Sequence, residues 1–264
     1  MRILLSNDDG FNAPGIKQLA EYIEKYSKIT VAAPKRNMSA CSSSLSVQKE
    51  IKIKNNRDSV YSIDGTSADS VHLALRGFLE QKYHQVISGI NYGSNMGDDV
   101  IYSGTVAAAI EGRSCTCTPL AISIANRNPR YTDDIHAKLN LFLPKYLGMK
   151  LEERTILNIN LPDIPYAKVK GIKITCLGTR RTSNRAKIFK NKNGLMYGTI
   201  GDVGNPKNSE KGTDFHAVKE KYISITPLTL DMTNHKLISK LKRYNGNEWK
   251  YKKYLHRKPS QAGN

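Results

Sequence analysis

Four short apolar stretches, residues 2–6 (RILLS), 28–33 (KITVAA), 85–90 (QVISGI) and 120–124 (LAISI), recur along the first half of the chain. Helical patterns lie between and after them, at 15–26, 67–80, 104–113 and 133–147. Ile16, Leu19, Ala20, Ile23 and Tyr26 keep one face of a helix, as do Val71, Ala74, Leu75 and Phe78. Strands that are apolar throughout are buried on both sides, and such strands alternating with helices make parallel sheets. The expected fold is therefore α/β: a three-layer, Rossmann-like, mostly parallel sheet with helices on both faces.

Residues 47–64 interrupt the alternation. Positions 48–54 alternate at period two, Asn55-Asn56 supplies a turn, and 60–63 follow as a second strand, which predicts a surface hairpin. After Pro162 the pattern changes to short strands at 169–175, 187–189, 195–199 and 222–226, ending in a helix at 233–244. The expected division is a catalytic core over 1–160 and a β-rich C-terminal extension over 161–264 that serves as an oligomer contact.

With 39% apolar and 8% aromatic residues among 264, the chain is globular rather than disordered. No apolar run approaches the length of a membrane span, and Met1 leads straight into a strand, which points to a cytoplasmic protein. The four cysteines, Cys41, Cys115, Cys117 and Cys176, read as free thiols. The close pair Cys115 and Cys117 lacks C-x-x-C spacing and a nearby His.

Net charge is +18, concentrated at Arg180, Arg181, Arg185, Lys187, Lys190 and Lys192 and again between Lys236 and Lys258. Those runs could contact nucleic-acid phosphates, which would make the chain a basic nucleic-acid-binding protein without catalysis. They could equally be a solvated basic surface and tail. The second reading is favoured because no nucleic-acid-binding motif accompanies the charge.

In open parallel sheets, ligands bind beyond the carboxyl ends of the strands. The polar residues collect there. Asn7-Asp8-Asp9-Gly10 follows the first strand, residues 37–44 (NMSACSSS) the second, and 91–99 (NYGSNMGDD) the third. Adjacent carboxylates repel and are costly to bury without a countercharge. The run is either an ordinary turn or a seat for a divalent cation. Two carboxylates, a hydroxyl and amide oxygens suit Mg²⁺, Mn²⁺ or Ca²⁺, and no His or Cys nearby suggests zinc. Ser103 then precedes an Ala-rich helix, with Gly104 and Thr105 in its first turn. Those residues either cap the helix or seat a phosphate. Asp98 and Asp99 read equally as support for the site or as a solvated turn, and His72 as a packing or surface residue.

Neither G-x-G-x-x-G nor Asp-x-Asp follows the first strand, which argues against a dinucleotide-binding oxidoreductase and a haloacid-dehalogenase-like phosphatase. Read in order, the run resembles the SurE family of stationary-phase survival proteins, which are metal-dependent nucleoside monophosphate phosphatases. It comprises Asn7-Asp8-Asp9-Gly10…Ala13-Pro14-Gly15, Ala33-Pro34…Ser39…Ser42, Gly65-Thr66…Ala68-Asp69, Ser88-Gly89-Ile90-Asn91…Gly93…Asn95…Gly97-Asp98 and Tyr102-Ser103-Gly104-Thr105-Val106…Ala108-Ala109…Glu111-Gly112. The resemblance spans residues 1 to 125 and resumes weakly at 213–228.

The resemblance implies hydrolysis of nucleoside 5′-monophosphates, with 3′-monophosphates and short polyphosphate as further substrates. It implies one divalent cation on Asp8, Asp9, Ser39 and Asn91, with Asp8 and Asp9 as catalytic groups. Phosphate contacts fall on Asn95, Ser103, Gly104 and Thr105, and the assembly is a homodimer or homotetramer. Ala40 stands where many members carry Gly, and the tail beyond Tyr244 falls outside the resemblance.

Overall fold

The computed structural model describes residues 1–201 and 203–246. Thirteen strands occur in chain order: β1 (Arg2–Ser6), β2 (Lys28–Pro34), β3 (Ile53–Arg57), β4 (Val60–Ile63), β5 (Gln85–Tyr92), β6 (Leu120–Ile124), β7 (Thr155–Leu161), β8 (Ile172–Ile174), β9 (Thr179–Arg180), β10 (Lys187–Lys190), β11 (Met196–Thr199), β12 (Pro206–Asn208) and β13 (Ile223–Thr229). Among the described residues seven α-helices accompany them: α1 (Pro14–Ile23), α2 (Ser67–Leu73), α3 (Gly104–Glu111), α4 (Ile135–Asn140), α5 (Leu143–Tyr146), α6 (Asp214–Lys219) and α7 (His235–Gly246).

Nine strands form one sheet in the order β3-β4-β2-β1-β5-β6-β7-β13-β8. From β4 to β7 every neighbour pair is parallel, whereas β13 runs antiparallel to β7 and β3 antiparallel to β4. Alternate residues of each strand feed opposite faces. Ile3, Leu5, Val31 and Ile87 pack with Ile16, Leu19 and Ile23 of α1 and with Leu139 and Leu143 of α4 and α5. Leu4, Ala32 and Val86 pack with Val71 of α2 and Ala108 of α3. These are the three layers expected. No helix among the described residues is long and apolar enough to cross a membrane.

The local readings held where side-chain spacing decided them and moved where backbone chemistry did. The helix expected over 67–80 is α-helical only to Leu73 and then widens into a π-type turn from Ala74 to Phe78. The helix expected over 133–147 breaks into α4 and α5, with Pro144, which has no N–H to donate, in the first turn of α5. The hairpin turns at Asp58 and Ser59 rather than at Asn55-Asn56, with Ser59 at φ 59°, a left-handed conformation. Both asparagines lie within β3, where the Asn56 amide donates to Ser62 Oγ at 2.8 Å. Nor is the hairpin only a surface insertion, because β4 pairs in parallel with β2.

β7 has no counterpart among the expected strands. It reads TILNINL, and its two asparagines interrupt the apolar run although both are fully buried. The sheet also does not end at residue 160, since β8 and β13 are its last two strands. The chain divides instead after Leu230, and the described part of the second unit contains α7. Residues 247–264, with Trp249 and most of the basic tail, lie outside the described residues.

Candidate active site

The chain runs from β1 to β2 and β4 on one side, then crosses to β5 on the other, so the order reverses between β1 and β5. At such a switch point the two following loops diverge and leave a crevice. Asn7 shapes the first loop: its amide donates to the Gly10 carbonyl at 2.9 Å and its Oδ1 accepts the Gly10 N–H at 3.1 Å. Gly10 has φ +111°, open only to a residue without Cβ. This turn fixes Asp8 and Asp9 at the end of β1.

Asp8 is 4% exposed, and its Oδ1 accepts the Thr105 hydroxyl at 2.5 Å. Gly104 lies against the same side chain: a Cβ at this position would sit 2.7 Å from Asp8 Cβ. The Ser67 hydroxyl donates to the Gly104 carbonyl at 2.7 Å, which ties α3 to α2. Asp9 accepts the Tyr92 N–H on Oδ2 at 3.3 Å and the Asn37 amide on Oδ1 at 3.4 Å.

Burial raises the Asp8 carboxyl to about 6; the Asp9 charge adds to this and the Thr105 hydroxyl opposes it. Burial also raises Asp9, against the Tyr92 N–H. Among the described residues no Lys, Arg or His pairs with either acid.

The other expected residues are placed as follows. Asn91 is the penultimate residue of β5, next to the Tyr92 N–H that meets Asp9. Its amide donates to the Gly93 carbonyl at 2.7 Å, and among the described residues no bond occupies its Oδ1. Ser39 is exposed and one residue removed from the acids. Its hydroxyl donates to Asn37 Oδ1 at 2.6 Å, and its neighbour Met38 donates its N–H to the Asp8 carbonyl at 2.7 Å. Ser103 caps α3, accepting the Val106 N–H on Oγ at 3.1 Å, so the hydroxyl proton stays available. The N–H groups of Gly104 and Thr105 have no partner within the helix.

Asn95 is turned into the sheet. Its amide donates to Ser123 Oγ at 2.8 Å, and among the described residues no bond joins it to Asp8 or Asp9. Its backbone is held by Asn158 and Asn160, which donate to its carbonyl at 2.8 and 2.9 Å, and its N–H meets Asn160 Oδ1 at 2.9 Å.

Asn158, Asn160 and Asn37 were not among the expected residues. Two asparagines spaced by two in an otherwise apolar strand, hence on one face, were the available signal for the first pair. Asp98, which is exposed, and Asp99, which is half-buried, both bond to Arg180. His72 lies on the surface, 3.1 Å from Glu111.

The family model for survival protein SurE matches residues 3–184. The chain belongs to the SurE family. A SurE relative from Histophilus somni (strain 2336), named 5′-nucleotidase SurE, is 47% identical over 246 residues, 92% of this chain and 98% of the relative. One from Legionella pneumophila (strain Paris), with the same name, is 44% identical over 241 residues, 91% and 96% of the two chains. The crystal structure of SurE protein from Aquifex aeolicus superposes with a TM-score of 0.81 at 37% identity, covering 93% of this chain and all of that one.

The Thr105 hydroxyl, which the SurE resemblance places at phosphate, donates its proton to Asp8. Thr105→Val keeps the β-branched shape and removes only that donor. A charge-assisted bond of this kind is worth about 1.5–3 kcal/mol, so the Asp8 carboxyl in metal-free protein should titrate roughly one to two pH units higher. Carbon NMR of the labelled aspartates checks this, and an unmoved Asp8 titration would mean that the bond does not act on the carboxylate.

Proposed function

We propose that this chain is a divalent-cation-dependent phosphomonoesterase that hydrolyses nucleoside 5′-monophosphates to nucleoside and phosphate. The observation that carries the reading is the junction of Asp8 with the first turn of α3. It sets the buried Asp8 carboxylate, with Asp9 beside it, directly against the N-terminal turn of a helix at the switch point of the sheet. The name 5′-nucleotidase borne by relatives that match nine-tenths of the chain supports the same reaction.

The donor set suits a hard cation. Asp8, Asp9 and Asn91 offer oxygens, with Ser39 one residue further out. Both carboxyls are held above their ordinary range by burial, the condition that a nearby positive charge relieves. When bound, such a cation neutralises phosphoryl charge and acidifies water.

The chain's own groups do the rest. The Gly104 amide and the Ser103 hydroxyl receive phosphoryl oxygens, as preformed dipoles that need no reorganisation when charge builds in the transition state. Thr105 locks the Asp8 rotamer, and Asn37 with the Tyr92 N–H locks Asp9. Water supplies the incoming oxygen, the ester P–O bond breaks, and the nucleoside leaves with its hydroxyl restored. Extension of the reading to 3′-monophosphates or short polyphosphate depends on the loops around 39–44 and 93–102. Self-association is part of the reading as well, supported by the exposed Ile188, Phe189, Met196 and Tyr197 on the β10–β11 hairpin.

An assay on nucleoside 5′-monophosphates before and after chelation tests this. Activity should fall below a tenth of its starting value on metal removal and return with Mg²⁺ or Mn²⁺. Full activity in exhaustively chelated protein would overturn the metal assignment. Absence of hydrolysis, with nucleic-acid binding that collapses as salt rises, would favour the basic binding protein instead.

A further inference from the structure

The six-residue turn from Gly97 to Tyr102 leads directly into Ser103, so its position decides where the first amides of α3 point. Apolar packing reaches it at Val100, which lies against the cluster containing Val106 and Ala109 of α3. Ile101 and Tyr102 are 52% and 60% exposed, and of the six residues only Gly97 is buried. Hydrogen bonds hold the rest of the turn. The Ser42 hydroxyl donates to the Ile101 carbonyl at 2.7 Å, the Ser42 N–H meets the Tyr102 carbonyl at 3.2 Å, and Gly97 donates its N–H to Asp214 at 2.7 Å.

The middle of the turn is taken by one residue from β9. The Arg180 N–H meets Asp98 Oδ2 at 2.6 Å, and its side-chain Nε and a terminal nitrogen both reach Asp99 Oδ2 at 2.6 Å. The remaining terminal nitrogen donates to the Gly204 carbonyl at 3.0 Å, and the guanidinium stacks 4.8 Å from the Phe215 ring centre.

Resting on the phosphatase reading, we infer that Arg180 is a positioning residue for phosphate binding. Through Asp98 and Asp99 it sets the turn that aims Ser103, Gly104 and Thr105, and it does so from a part of the chain 75 or more residues away in sequence. The pair is largely shielded, at 14% and 20% side-chain exposure, so its attraction is less screened than that of a surface ion pair. The planar fork supplies directional bonds that an ammonium cannot match. Among the described residues no bond joins Arg180 to Asp8 or Asp9, so its action runs through the turn. A displacement near 1 Å at a reacting centre costs up to about a hundredfold in rate, which makes small movements of this turn matter.

The test compares Arg180→Gln, Arg180→Lys, Asp99→Asn and the Arg180→Gln/Asp99→Asn pair in Mn²⁺-loaded full-length protein. Two quantities are read: KM for adenosine 5′-monophosphate and the calorimetric Kd of inorganic phosphate. Each of Arg180→Gln and Asp99→Asn should raise both by roughly tenfold, the double variant should be no worse than either single, and Arg180→Lys should fall between. Manganese affinity should stay within about twofold throughout, since the first coordination groups are untouched.

Folded variants that lose thermal stability but keep wild-type KM and phosphate Kd would overturn the inference, because a purely structural clamp predicts that pattern. Additive effects in the double variant would also overturn it. Wild-type protein that hydrolyses no nucleoside monophosphate would defeat the functional reading alone, leaving phosphate affinity to judge Arg180. Wild-type protein that binds no phosphate would defeat both.

Discussion

Asp8→Asn should lower turnover about a thousandfold, the range seen when a preorganised charge-stabilising group is lost, and should stabilise the metal-free protein near pH 7. The loss follows from taking one of two carboxylates from the proposed cation site. The stabilisation follows from burial. The carboxyl titrates near pH 6 in the folded chain, against 3.8 when freely solvated. Between those values the folded protein keeps a proton that the unfolded chain has released, so stability falls as pH rises through that window. Below pH 4 both states are protonated and there is no penalty. Above pH 6 both are ionised and the penalty is complete, at about 3 kcal/mol. The amide carries no charge to bury and still accepts from Thr105. Urea midpoints of chelated protein at pH 4.5 and 7 should therefore diverge more for the wild type than for the variant, in which only Asp9 of the pair still titrates. A variant no more stable than wild type at pH 7 would remove burial of charge as the cause.

Asp214→Ala should cost about 3–5 kcal/mol, the range for stripping the acceptor from several buried donors. Asp214 is fully buried and accepts three backbone N–H groups: Gly97 at 2.7 Å, Gly178 at 2.9 Å and Phe215 at 2.8 Å. Alanine leaves all three without a partner in a space too enclosed for easy hydration. Asp214→Asn retains an acceptor oxygen and should lose roughly half as much. Because Gly97 opens the turn before Ser103, the alanine variant should also lose catalytic efficiency at temperatures where it stays folded. Equilibrium urea unfolding decides the point, and a change under 1 kcal/mol would mean that the three amides find other partners.

The layered core was legible because it depends on periodicity. Ile3 and Leu5 face one way, Leu4 the other, and the helical spacings of Ile16 and Val71 find those faces. The carboxylate pair and the Ser103 cap were legible because strand ends and helix starts carry distinctive side chains. What was not legible depends on long-range partners. Thr105 resembles a second cap residue until Asp8, 97 positions earlier, is seen to take its proton. Asn158 and Asn160 resemble a polar strand face, yet they are buried and bond the loop at Asn95. Arg180 belongs to a basic run whose other members read as solvated surface. Nothing local marks it as the one that meets Asp99.

The separations within this site bear on when it can form. Asp8 meets Thr105 across 97 positions, and Gly97 meets Asp214 across 117. Contacts so distant are reached late, since each demands loop closure before it returns any stabilisation. On a ribosome, the parallel strands near the amino end can pair while the carboxyl-terminal third is still unmade. The turn ahead of α3 then lacks both its aspartate clamp and its arginine, so the strand-end acids precede the organised helix start proposed to seat phosphate. Maturation of the candidate site thus coincides with completion of the sheet by β13, and an unfinished chain carries the scaffold without the aimed helix.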